Sequence, residues 1–179
     1  RIDSLRAAAN QGDVNAMFEL AMMLKNGIGI EQNLPEAAKY YKMGAERGDP
    51  ESQHNYGLML KQGLGVPQDI KSAIHYFKLS ADQNNSDAQN SYGICLKSGI
   101  GIEKDVKLAA QYFKFSAEQG NPNGQNNYAW MLKNGCGIAK NTKLAAEFYE
   151  KSAKQGNTNG INNYATFLCT GTGVEQNLT

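Results

Sequence analysis

The chain repeats itself every 36 residues, and that period confines it to architectures made by stacking one small unit. Asn55-Tyr56 returns as Ser91-Tyr92, Asn127-Tyr128 and Asn163-Tyr164, each pair 36 residues beyond the last, and Leu20 holds the tyrosine's place in the first copy. Residues 13–48, 49–84, 85–120 and 121–156 align without a gap. Residues 157–179 begin a fifth copy, and residues 1–12 match the last third of one. A unit this short cannot bury its own apolar face, so the copies must stack and share a core.

Two helical patterns alternate within each copy. Met17, Leu20, Ala21 and Leu24 stand at helical spacing and predict a first helix from about Ala16 to Asn26. It stops at Gly27-Ile28-Gly29. The same Gly-x-Gly recurs at Gly63/Gly65, Gly99/Gly101, Gly135/Gly137 and Gly171/Gly173, where glycine supplies the left-handed conformation that closes a final turn. The second helix follows Asn33, Asp69, Asp105 or Asn141, side chains that cap the first free N–H groups. Pro35 sits in its first turn, where a missing N–H costs nothing. This helix carries Ala37-Ala38, Tyr40-Tyr41 and Ala45, with counterparts as far as Ala145, Phe148, Tyr149 and Ala153. It ends at Gly48, Gly120 and Gly156, with Asn84 as the stand-in. Small residues at Ala21, Gly57, Gly93, Ala129 and Ala165 let neighbouring helices approach closely, and the aromatic residues fill the space beside them.

The pattern Ala-x3-Leu/Tyr-Gly/Ala-x2-Leu-x2-Gly-x-Gly-Ile/Val, followed by Asp/Asn-x3-Ala-x2-Tyr-Phe/Tyr-x3-Ala-x2-Gly, resembles the Sel1-like repeat, a relative of the tetratricopeptide repeat. The resemblance covers essentially the whole chain. It implies an all-α fold, a right-handed α/α superhelix of helix-turn-helix units, used for protein–protein interaction and often as an adaptor. Two departures stand out: Tyr56, Tyr92, Tyr128 and Tyr164 replace the family's usual leucine, and the paired cysteines of some secreted bacterial members are missing. The repeats form one domain and break off at both ends, so the expectation is a segment of a longer protein.

Composition removes several alternatives. A formal net charge of +1 over 179 residues lacks the concentrated Lys/Arg surface that nucleic acid binding needs. No apolar run is long enough to span a bilayer, and Arg1–Asn10 has no signal-peptide core. Cys95, Cys136 and Cys169 are odd in number and fall at three different repeat positions, which fits a reducing compartment and predicts a cytoplasmic protein. The triplets Asn84-Asn85-Ser86 and Asn177-Leu178-Thr179 are glycosylation acceptors that matter only in a secreted protein.

No reactive constellation emerges. The glycine pairs lack the preceding strand and following Lys-Ser/Thr of a phosphate loop, and they recur once per copy as a turn would. His54 and His75 have no cysteine or carboxylate at ligand spacing and are expected at the surface. Cys95 takes the place of Met59 and Met131, a core position, while Cys136 lies in a turn. The aromatic pairs recur on every second helix, so packing explains them. The expectation is a protein that is not an enzyme and uses no metal or cofactor.

In the related tetratricopeptide fold the first helix of each pair lines a concave groove, and carrying that over picks out three rows. The first holds Phe18, His54, Asn90, Asn126 and Asn162; the second Met22, Leu58, Ile94, Trp130 and Thr166; the third Lys25, Lys61, Lys97 and Lys133, ending at Cys169. An apolar stripe between an amide row and a lysine row suits an extended protein or peptide partner, with the lysines favouring acidic side chains. Each row also has a plainer explanation. Lysine favours the negative end of a helix, asparagines can bond between copies, and Trp130 can pack between helices. A second function class, a spacer or self-assembly module stacking through open solenoid ends, fits the same sequence.

Overall fold

The structure, a computed structural model, describes residues 2–171. Gly173 and the acceptor Asn177 therefore lie outside the described residues. Ten α-helices and no strand occur among those described, and the chain divides between Asn85 and Ser86 into two compact units. The first unit holds α1 (Ile2–Asn10), α2 (Val14–Asn26), α3 (Leu34–Glu46), α4 (Pro50–Gln62) and α5 (Ile70–Asp82). The second holds α6 (Ser86–Ser98), α7 (Val106–Glu118), α8 (Pro122–Asn134), α9 (Thr142–Lys154) and α10 (Thr158–Thr170). Even-numbered helices are the first helices of their copies. The architecture is an all-α repeat solenoid.

Local chemistry sets the helix ends. The side chains of Asn33, Asp69, Asp105 and Asn141 accept from the backbone N–H three residues on, as the cap positions in the sequence predict. The first helix starts at Val14, two residues before the sequence-based boundary, because Asp13 caps it by accepting from the Ala16 N–H at 3.0 Å. Asp49, Asn121 and Asn157 repeat that cap. Gly27, Gly63, Gly135 and Gly171 close the first helices in the left-handed conformation, and Asn84 takes it after α5 with φ +65°.

Neighbouring helices pack in order within each unit: α1 to α5 in the first and α6 to α10 in the second. The core is aromatic and tightly filled. Tyr40, Tyr41 and Phe77 are buried in the first unit, and Phe113, Tyr149 and Phe167 in the second. Edge-to-face pairs recur from copy to copy at Tyr56–Tyr76 (5.1 Å), Tyr92–Tyr112 (4.9 Å) and Tyr128–Phe148 (5.0 Å). Where the facing ring presses hardest only glycine fits: a Cβ on Gly57 or Gly93 would stand 2.8 Å from Phe77 or Phe113.

A second tight seam runs between a second helix and the first helix that follows it. Gly44 faces Ser52 in the first unit, whereas Ser116 faces Gly124 and Ser152 faces Gly160 in the second. A Cβ added to any of these glycines would overlap the facing serine hydroxyl. Several buried polar groups along the stack are tied off by repeated bonds, the hydroxyls of Ser52 and Tyr149 being exceptions among the described residues. Gln83 Nε2 donates to Gln53 Oε1 at 2.8 Å, Gln119 to Gln89 at 2.6 Å and Gln155 to Gln125 at 2.9 Å. Ser80, Ser116 and Ser152 donate to the carbonyls of Pro50, Ser86 and Pro122 at 2.6–2.7 Å. Cys95 is buried, as its place in the methionine column predicts, while Cys136 is half-buried and Cys169 exposed. No described helix is long and apolar enough to cross a membrane.

Candidate protein-interaction face

Helical geometry decides which side chains share a face. Residues four and then three positions apart lie one above another, so Asn90, Ile94 and Lys97 form one row on α6 and Asn126, Trp130 and Lys133 the matching row on α8. Asn162, Thr166 and Cys169 continue it on α10. In the first unit the same positions are Phe18, Met22 and Lys25 on α2 and His54, Leu58 and Lys61 on α4.

The amide row is not uniformly open. Asn90 is only 9% exposed and accepts from Asn127 Nδ2 at 2.7 Å. Asn126 is half-buried and accepts from Asn163 Nδ2 at 2.9 Å. These bonds join one copy to the next, so part of the asparagine recurrence is structural. Asn162 is exposed. His54, expected at the surface, is instead 8% exposed with its ring 5.7 Å from that of Phe77. The aromatic residue that α5 places beside it turns an outward register position into a packed one. His75 is exposed, as expected.

The apolar row is the more accessible. Leu58, Ile94 and Trp130 are half-buried, and Met22 is 38% exposed. Three of the lysine side chains reach from their own copy to the first helix of the next within the same unit. Lys25 Nζ lies 3.5 Å from Asn55 Oδ1. Lys97 Nζ sits 3.9 Å from the centroid of the Trp130 ring, and Lys133 Nζ 5.3 Å from that of Phe167. At 3.9 Å the ammonium lies within direct reach of the ring's negative face, an attraction of about 0.5–1 kcal/mol at an accessible site. Lys61 is half-buried.

In the second unit the structure thus brings together the amide, apolar and lysine rows over α6, α8 and α10, which touch directly. The assembled groups are hydrogen-bonding amides, ammonium ions and a half-buried indole. Asn55, Asn127 and Asn163 escaped the sequence-based site. Their signal was available, since they form the column before the repeated tyrosine.

A family model described as the Sel1 repeat matches residues 14–49, 50–85, 86–121, 122–157 and 159–179. No curated protein matches the chain. Among solved structures, a protective antigen of uropathogenic Escherichia coli strains displaying an SLR fold is 29% identical with a TM-score of 0.89, covering 99% of this chain and 38% of that one. A Sel1 repeat protein from Oxalobacter formigenes is 25% identical with a TM-score of 0.85, covering 93% of this chain and 66% of that one. The chain thus spans less than two thirds of either relative. An immunity protein from Pseudomonas aeruginosa, 21% identical with a TM-score of 0.60 over 93% of this chain and 59% of that one, shares the fold. Repeat models laid end to end along the sequence, and structural neighbours built of the same unit, make this chain a member of the Sel1 repeat family.

Proposed function

We propose that the chain is an interaction scaffold that captures an extended, acidic segment of a protein partner on the first-helix face of its second unit. Sel1 repeat proteins commonly mediate protein–protein interaction, and the family is generally non-catalytic. The observation that carries the finer reading is Trp130, the chain's single tryptophan, half-buried with Lys97 over its ring and in line with Ile94 and Asn126. A large, partly exposed aromatic ring with a charged neighbour is the kind of residue that binding hot spots favour. Ile94, Asn162 and Lys133 extend the surface, with the buried Asn90 supporting it through its bond to Asn127, and Lys25, Leu58, Lys61 and the buried His54 form the corresponding row of the first unit.

The test is partner capture by the chain and by a variant with Trp130, Asn126 and Lys97 all changed to alanine. Capture falls at least tenfold if these side chains carry about 1.4 kcal/mol or more of the affinity. Helical circular dichroism stays the same, while the melting temperature drops by the sum of the lost Asn163–Asn126 bond, about 1 kcal/mol, the lost Lys97–Trp130 attraction, about 0.5–1 kcal/mol, and the packing of the half-buried indole. Undiminished capture by the triple variant places the binding surface elsewhere.

A further inference from the structure

We propose that this face recognises acidic side chains in pairs, three residues apart on a segment in the polyproline II conformation, with Lys97 and Lys133 as the two receivers. The inference rests on the reading of the face given above and adds its spacing rule. Lys97 and Lys133 occupy the same column of successive copies, on α6 and α8. Each lies over an aromatic ring of the next first helix, Trp130 on α8 and Phe167 on α10. Exposed lysines contribute little to ion pairs, partly because pairing costs a long side chain its freedom. Here the ring has already drawn the stem to one side. An ammonium carries several N–H donors, and a ring face engages only one side of it, so the remaining donors serve an incoming carboxylate.

The step between receivers follows from packing. The helices α6 and α8 touch directly, as do α8 and α10, and packed helices lie roughly 8–10 Å apart. A β-strand rises about 3.3 Å per residue with side chains alternating. Residues two apart on one strand face are therefore about 7 Å apart, too short, and residues four apart about 13 Å apart, too long. A polyproline II segment rises about 3.1 Å per residue with about three residues per turn. It places every third side chain on one face, about 9 Å from the last, which matches the helix step. Its backbone makes no internal hydrogen bonds, so its carbonyls and the N–H groups of its non-proline residues are available to the half-buried Asn126. Ile94 and Trp130, half-buried one turn before Lys97 and Lys133 on the same helices, form an apolar floor beside the lysine pair.

The probes are fluorescein-labelled, proline-rich dodecapeptides carrying two glutamates spaced i,i+2, i,i+3 or i,i+4, and an i,i+3 control with glutamines. Binding to the whole chain is followed by anisotropy at low salt, and its location by the emission of Trp130. The i,i+3 peptide binds about threefold more tightly than either other spacing, the size expected for an exposed ion pair placed in register. The advantage shrinks as salt is raised. Lys97→Gln and Lys133→Gln each abolish the preference, and Trp130 emission changes on binding. Equal affinity for all spacings, or a preference that survives both lysine variants, overturns the spacing rule and leaves the face standing if Trp130 still responds. Binding without any change in Trp130 emission overturns the face as well. Failure of all the peptides to bind, while the triple alanine variant still loses its partner, removes the spacing rule alone.

Discussion

Burial raises the hydroxyl pKa of Tyr41 and Tyr149 from an ordinary value near 10 to about 12. The Tyr149 hydroxyl has no hydrogen-bond partner among the described residues, and Phe77 and Phe113 hold the same column in neighbouring copies. Tyr149→Phe should therefore be neutral or slightly stabilising at neutral pH, because it removes an unsatisfied buried hydroxyl while keeping the ring. Scanning calorimetry checks this. A folded-state pKa above the unfolded one means the folded chain keeps protons that the unfolded chain releases between about pH 10 and 12. Stability is thus intact below pH 10 and falls as pH rises through that window, by about 2–3 kcal/mol per buried tyrosine at its upper end. Urea midpoints measured from pH 9 to 12 should fall less steeply for Tyr149→Phe. The serine–glycine seam gives a sharper residue test. Gly124→Ala drives a methyl group into the Ser116 hydroxyl and should cost about 1–3 kcal/mol. Adding Ser116→Gly should recover most of that loss, short of the Ser116–Ser86 bond.

Helix ends depend on chemistry within a few residues, which is why they were legible. The Asp/Asn caps and glycine stops of the second helices can be read from one copy and confirmed in the next. The cap column at Asp13, Asp49, Asn121 and Asn157 recurs just as regularly, and overlooking it moved the start of the first helix by two residues. Asp69 shows what such a cap does. Its carboxylate accepts from the Ser72 hydroxyl at 2.6 Å and the Ser72 N–H at 3.0 Å, and the side-chain bond first, then the backbone bond, holds its pKa below the ordinary aspartate value. A lowered folded pKa gives stability that is present above the unfolded value and lost as pH falls through the folded one. Melting temperatures between pH 7 and 2 should therefore drop less for Asp69→Asn, which keeps the capping oxygen without the titration. The candidate face was legible only as a register. Rows follow from counting residues, but exposure depends on what the adjoining helix supplies. Phe77 covers His54, and the donors of Asn127 and Asn163 engage Asn90 and Asn126 from 37 residues away. The direction in which Lys97 lies, toward Trp130, is likewise a property of two packed helices and of neither alone.

Within each unit stability comes from neighbours, since the helices pack in chain order and the bonds between copies join residues 30 to 37 positions apart. Such a chain behaves as a sum of copies and interfaces. Inserting a second 122–157 segment after Asn157 should raise both the urea midpoint and its m-value, because a copy and an interface are added together. The same insertion made with residues 50–85 should instead lower the midpoint, for Ser52 would arrive opposite Ser152, where the structure has room for a hydroxyl on only one side. This restriction bears on how such a sequence can grow by duplication. A crossover in the short turn between a second helix and the next first helix separates the two partners of the seam and risks bringing serine against serine. A crossover at the Gly-x-Gly turn keeps them together. The heritable module is then the second helix with the first helix that follows it, offset by half a period from the helical hairpin seen in space.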